Sequence, residues 1–215
     1  MEALRQMLDI EKWTLFGGSW GTTVAIAYGL AHPHRCQSFL LRGVWLARPE
    51  DIDWYMWGAK QVYPEMHEKL VNEVKEATAY TAHNAKQLIN IVYRAFKNNI
   101  ETNRAMKMAK AWFSYEMHLS ALDPIKFNEQ EDMNVALTIA KLEAYYLATQ
   151  LPLENNLLSQ VMKSPVKDIH CEIVHGRYDM VCPVDEAYEL HKVWTNSNLN
   201  IAARSGHYTF EPEME

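Results

Sequence analysis

The chain is poor in the features that mark several large protein classes. Its three cysteines, Cys36, Cys171 and Cys182, form an odd set without C-x-x-C spacing, and its nine histidines are scattered without an H-E-x-x-H or paired spacing. A disulfide scaffold and a zinc site are therefore not expected, and neither is any other metal or a cofactor. No run of Lys or Arg exceeds two residues, and 21 basic against 27 acidic side chains leave a formal charge of −6. Nucleic acid is accordingly not an expected partner. No apolar stretch approaches the ~20 residues that span a bilayer, so no membrane association is expected. Met1 to Leu8 mixes charges into a helical pattern where a signal peptide would need a basic end and an apolar run. The expected setting is soluble, reducing and cytoplasmic. Internal repeats and low-complexity segments are also missing.

What remains is a globular composition. The 215 residues are 48% hydrophobic and 22% charged, and a chain of this length buries roughly 70% of its unfolded surface. Lys12 to Phe16 is a β-prone run that ends at two glycines. Thr22 to Ala31 is small and apolar like a buried helix and is stopped by Pro33, and Ser38 to Gly43 is a second buried strand. Strand, helix and strand in this order predict a βαβ unit and a parallel sheet. From about Pro49 to Ser164 glycine is scarce, and amphipathic helices are predicted at Pro64–Tyr80, Ala85–Lys97, Arg104–Leu122 and Val135–Gln150. The α/β rhythm then resumes with a strand at Cys171–Gly176, a helix at Val184–Trp194 and a strand at Leu199–Ala203. The expected organisation is an α/β core in two pieces, 1–48 and 165–215, with a helical cap at 49–164 inserted between them.

Gly17-Gly18-Ser19-Trp20-Gly21 is a G-x-S-x-G pentapeptide set directly between a strand and a helix. In that context it reads as a nucleophile turn, with glycines where side chains would collide with the flanking elements and the Trp20 N–H facing a developing oxyanion. A serine needs an imidazole to take its proton, and the imidazole needs a carboxylate to hold its tautomer. Asp179 follows the strand 171–176, and His207 follows the strand 199–203. His207 is the one histidine so placed. His175 reads as a strand-end structural residue, and His32, His34, His67, His83 and His191 as helix-surface or turn positions. Asp185 competes for the acid role but sits at a helix start, where a capping role explains it.

The insertion carries a second signal. Trp112, Tyr115, Glu116 and Leu119 fall at i, i+3, i+4 and i+7, and Ile139, Leu142, Glu143 and Tyr146 repeat the pattern, so both glutamates are expected to face inward. An inward carboxylate is costly without a cation or donors. The pair either meets Lys or Arg of the insertion, reaches solvent at a stripe edge, or forms an anionic site for a substrate ammonium.

Together with Leu41-Arg42-Gly43, His175 to Pro183 and Gly206-His207, these segments resemble the proline iminopeptidase (prolyl aminopeptidase) family of α/β-hydrolases over nearly the whole chain. The resemblance implies Ser19 as nucleophile, Asp179 as acid and His207 as base. It implies that Glu116 and Glu143 receive the free amine of a peptide with an N-terminal proline, and that Trp45, Tyr55 and Leu147 surround the proline ring. Two departures stand out. Tyr115-Glu116 replaces the family's Trp-Glu, and Leu147 replaces an aromatic residue, which bears on proline selectivity. The family also has a section before the serine strand, with the first strands of the sheet and a His-Gly-Gly-Pro-Gly loop, whereas here the serine is residue 19. The expectation is a partial α/β-hydrolase fold whose first strands are missing, with a second chain as a possible supplier of that section. The alternatives are an esterase or amidase of the same fold and a non-catalytic fragment.

Overall fold

The computed structural model describes residues 1–123, 128–151, 153, 156–211 and 213, with the side chains of 129–131 left aside. In chain order α1 (Glu2–Met7), β1 (Trp13–Gly18), α2 (Trp20–Ala31) and β2 (Cys36–Arg42) come first. Five helices follow: α3 (Pro49–Met56), α4 (Pro64–Thr78), α5 (Ala85–Lys97), α6 (Thr102–Ser120) and α7 (Glu129–Thr149). The chain then runs through α8 (Leu157–Lys163), β3 (Cys171–Gly176), α9 (Val184–Val193) and β4 (Ser197–Ala202). These elements divide into two units, Met1–Leu46 with Glu154–Glu215, and Ala47–Leu153. The bounds 49–164 expected for the insertion include α8, a helix that periodicity did not mark. It packs instead on α2 and α9 in the sheet unit, where Leu157 and Val161 are buried.

The sheet has the order β1-β2-β3-β4 and is parallel throughout. Its register sets Leu15 beside Phe39, Leu41 beside Ile173, and Ile173 beside Leu199. Alternation along the strands sorts the side chains to two faces. Leu15, Phe39, Leu41 and Ile173 are buried. Trp194 meets Phe39 edge-on at 4.8 Å and donates its indole N–H to the Ile169 carbonyl at 2.8 Å. On the opposite face Phe16 is 70% and Leu40 38% exposed. Among the described residues β1 pairs with β2 alone, so its outer edge carries no strand.

In the helical unit α4 packs on α5 and α6, and α7 on α5 and α6. Leu70, Val74 and Ala77 of α4 are buried, as are Leu88, Ile89 and Val92 of α5. His67 corrects the sequence expectation of a surface position. It is buried, packed edge-on against Trp57 and Tyr115, because it shares the apolar stripe of α4. The inward stripe of α7 also differs from expectation. Leu142 is 53% and Tyr146 40% exposed, while Ala136, Ala140 and Ala144 are fully buried. The small side chains let α6 and α7 approach closely, and the larger residues turn outward. Glu143 and Leu147 lie at the edge of that alanine stripe, half-buried.

Candidate active site

The turn between β1 and α2 is closed to a side chain at its first glycine. A Cβ on Gly17 would stand 2.4 Å from the Gly21 carbonyl oxygen, so the strand and the helix can meet there only if residue 17 is glycine. Ser19 itself takes φ 54° and ψ −125°, a backbone conformation that non-glycine residues rarely hold, and is the residue just before α2. Three hydrogen bonds fix it there. Its N–H donates to the Arg42 carbonyl at 2.9 Å, and its carbonyl accepts from the Thr22 N–H at 2.8 Å and the Thr22 hydroxyl at 2.7 Å. Trp20 opens the helix, which puts its amide at the positive end of α2.

Asp179 and His207 come together although 28 positions separate them: His207 Nδ1 lies 2.7 Å from Asp179 Oδ2, and both residues are buried. The other carboxylate oxygen, Oδ1, accepts the N–H groups of Val181 at 3.0 Å and Cys182 at 2.8 Å. A carboxylate with these partners is an acceptor, so His207 carries its proton on Nδ1 and presents Nε2 as the base. Gly43, at φ +57°, lies against the imidazole: a Cβ there would be 3.0 Å from His207 Cε1. Arg42 donates from Nη1 to the His207 carbonyl.

The Ser19 hydroxyl is near enough to the Cys182 thiol to act on it as a hydrogen-bond donor. Among the described residues no hydrogen bond joins Ser19 to His207. Ligand-type atoms of Asp179, Cys182 and His207 lie within 4.8 Å of one another. Two loops contribute them, one after β3 and one after β4, so no sequence spacing could reveal the cluster. Burial, then the charge of Asp179, pushes the Cys182 thiol well above its ordinary range and keeps it protonated.

The segment after β2 is buried and pinned through successive amides. Val44 donates to His175 Nδ1 at 3.1 Å, Trp45 to Thr22 Oγ1 at 2.9 Å, and Leu46 to Glu186 Oε2 at 2.7 Å. The Trp45 carbonyl also accepts from Thr23 Oγ1 at 2.6 Å. The hydroxyl of Thr22 thus links the serine turn to Trp45. Sequence analysis missed this role, and a threonine three residues after the serine was the only trace of it.

In the helical unit Glu143 Oε2 accepts from Trp112 Nε1 at 2.6 Å and from the Tyr55 hydroxyl at 3.4 Å. Tyr115 donates to the Tyr55 carbonyl at 2.7 Å, which fixes the ring beside the glutamates. Glu116 Oε2 is buried with no hydrogen-bond partner. Burial first, and the neighbouring charge of Glu143 second, push the Glu116 carboxyl well above its ordinary 4.5. The sequence expectation of two inward carboxylates thus corresponds to a real pair, with Tyr55 and Trp112 as its donors. Leu147 lines a cleft of about 640 Å³ that includes Ile52, Asp53 and Ile89.

Comparisons with known proteins bear on the family and the fold. The model of the alpha/beta hydrolase fold matches residues 1–213. The proline iminopeptidase of Xylella fastidiosa is 34% identical over 218 residues, covering 99% of this chain and 67% of that protein. That of Arabidopsis thaliana is 35% identical over 217 residues, covering 99% of this chain and 55% of that protein. The chain therefore spans between about half and two thirds of the length of these curated relatives. Among solved structures, an esterase from Exiguobacterium antarcticum superposes with a TM-score of 0.59 at 19% identity, covering 99% of this chain and 66% of that one. An alpha/beta fold family hydrolase from Bacillus anthracis also reaches 0.59, at 17% identity, covering 97% and 66%.

Proposed function

Because this chain belongs to the α/β hydrolase fold family and, within it, to the proline iminopeptidases, we propose that it carries the catalytic centre of a serine aminopeptidase that releases N-terminal proline from peptides. In this mechanism Ser19 Oγ attacks the prolyl carbonyl while His207 Nε2 takes the hydroxyl proton. Asp179 holds the imidazole in the required tautomer and stabilises the imidazolium that forms. The Trp20 N–H is one donor to the oxyanion of the tetrahedral intermediate. His207 then gives its proton to the leaving amine, and water, activated in the same way, releases proline from the acyl-enzyme.

The observation that carries the specificity is the buried, unpartnered Glu116 oxygen next to Glu143. Two neighbouring carboxyls cut off from water favour a neutral Glu116, and an ammonium offers the charge and donors that would let both ionise. Tyr55, Trp45 and Leu147 are the proposed contacts of the proline ring. The partner proposed for catalysis is a peptide with a free N-terminal proline, and a segment able to pair with the open edge of β1, from this polypeptide or another, is the second proposed partner. Leu147 lines an open cleft rather than an aromatic pocket, which favours a second reading as an esterase or amidase of broader acyl selectivity.

Hydrolysis of a prolyl chromogenic amide, compared with its N-acetylated form, separates the two. Blocking the amine is expected to lower kcat/KM on the order of a hundredfold or more, and equal rates on both substrates would establish the broader hydrolase. Ser19→Ala and His207→Ala should each remove most activity, and the double variant little more, because groups that act as one unit are strongly non-additive. Wild-type turnover in Ser19→Ala would refute the nucleophile assignment.

A further inference from the structure

His175, the last residue but one of β3, is a fully buried imidazole with both ring nitrogens engaged. Nδ1 accepts the Val44 N–H at 3.1 Å, so it carries no proton. The single proton of the neutral ring is therefore on Nε2, which lies 2.8 Å from the Cys182 carbonyl oxygen and 3.4 Å from Asp179 Oδ2. Protonating Nδ1 would set one N–H against another in a site without water access, a state that costs the full desolvation of an unpaired donor.

These contacts join the two walls of the slot that holds His207. One wall is Gly43 and Val44, where the absent Cβ of Gly43 lets the His207 ring approach. The other is the acid loop, which closes on itself: the Cys182 N–H holds Asp179 Oδ1, and the Cys182 carbonyl is held by His175. His175 spans the two, and Asp179 Oδ2 faces both imidazoles.

We propose that His175 is a positioning residue: a permanently neutral histidine, protonated on Nε2, that sets the spacing between the Val44 strap and the acid loop and so aims Asp179 at His207. It touches no reacting atom. Burial lowers its proton affinity more than the Asp179 charge raises it, in keeping with that state. The other charged groups facing it are His207 and Arg42, and both disfavour a further positive charge there. The inference rests on the triad proposed above for its catalytic meaning, while the tautomer and the slot geometry stand apart from the substrate.

Imidazole nitrogen NMR of the whole chain tests the first part. His175 should show the neutral Nε2–H pattern, unchanged between about pH 6 and pH 9, where a free imidazole would titrate. An Nδ1–H pattern, or protonation within that range, overturns the proposal.

The second part uses His175→Leu and His175→Gln, read by the far-downfield Nδ1 proton of His207 and by the rate at which a fluorophosphonate labels Ser19. Leucine should weaken or abolish the downfield signal, slow labelling about tenfold or more, and lower kcat with KM little changed. Glutamine, which can still donate to the Cys182 carbonyl, should restore much of both. A leucine variant that keeps the signal and the labelling rate overturns the proposal. If leucine prevents folding, the wild-type tautomer and the glutamine variant decide. A wild type that shows the expected tautomer and downfield proton but takes no label would refute the catalytic assignment and leave the positioning role intact.

Discussion

Ser19 is held in a conformation that costs about 1–3 kcal/mol, and it persists because Arg42 and Thr22 bind its amide and carbonyl. This much was legible in the sequence, since a Gly-flanked serine between a strand and a helix has few other geometries. The Asp179–His207 pair was legible for a similar reason, each residue closing a strand end. The roles of Thr22 and His175 were not, because they depend on which carbonyl or amide comes within 3 Å of a side chain across the fold. Glu116 gives a prediction at this scale. Its carboxyl is raised in the folded state, so between its ordinary 4.5 and the raised value the native protein binds more protons than the unfolded chain. The neutral carboxyl's contribution to stability is present below 4.5 and is lost as pH rises through the folded value. Glu116→Gln should therefore flatten the fall in stability with rising pH and add on the order of 1 kcal/mol at pH 8. Urea denaturation at several pH values measures this, and an unchanged pH slope would count against the buried pair.

At the scale of elements, the strongly patterned segments were readable to the residue: α5 and β3 lie where periodicity placed them. The stripe of α7 was misread because leucine and tyrosine outweigh alanine in any hydrophobic count, whereas packing against α6 selects for size. Ala140 is fully buried on α7, which packs on α5 and α6. Ala140→Leu should force the helices apart and cost about 1–3 kcal/mol, while Leu142→Ala, on the exposed side, should change stability by less than about 0.5 kcal/mol. Thermal unfolding of the two variants checks the assignment, and the reverse ranking would restore the stripe expected from sequence. Helix α3, with Pro49 as its opening residue, was missed because its 8 residues are too few to establish a period.

For the molecule as a whole, the sheet has one covered face and one on which Phe16 and Leu40 stand open, with β1 unpaired along its outer edge. Parallel sheets are ordinarily covered on both faces, and an open edge beside apolar surface is a template for further pairing. The chain expressed alone is expected to self-associate and to bind a hydrophobic dye. Phe16→Ser should reduce both without loss of helix content. Analytical ultracentrifugation decides it, with a monodisperse monomer that binds no dye as the contrary result.

The pairing of Phe39 with Cys171 has a consequence in time. These parallel neighbours are separated along the chain by the whole helical unit, so their contact carries the entropy of closing a long loop, whereas helix formation and the β1-α2-β2 crossover depend on nearer neighbours. On dilution from denaturant, the far-ultraviolet helical signal should return first. Fluorophosphonate reactivity of Ser19 should lag behind it, because the acid and the base arrive only with β3 and β4. During that interval the serine is already shaped for attack but has no group to accept its proton, so the folding chain passes through a stage in which its nucleophile is built and silent.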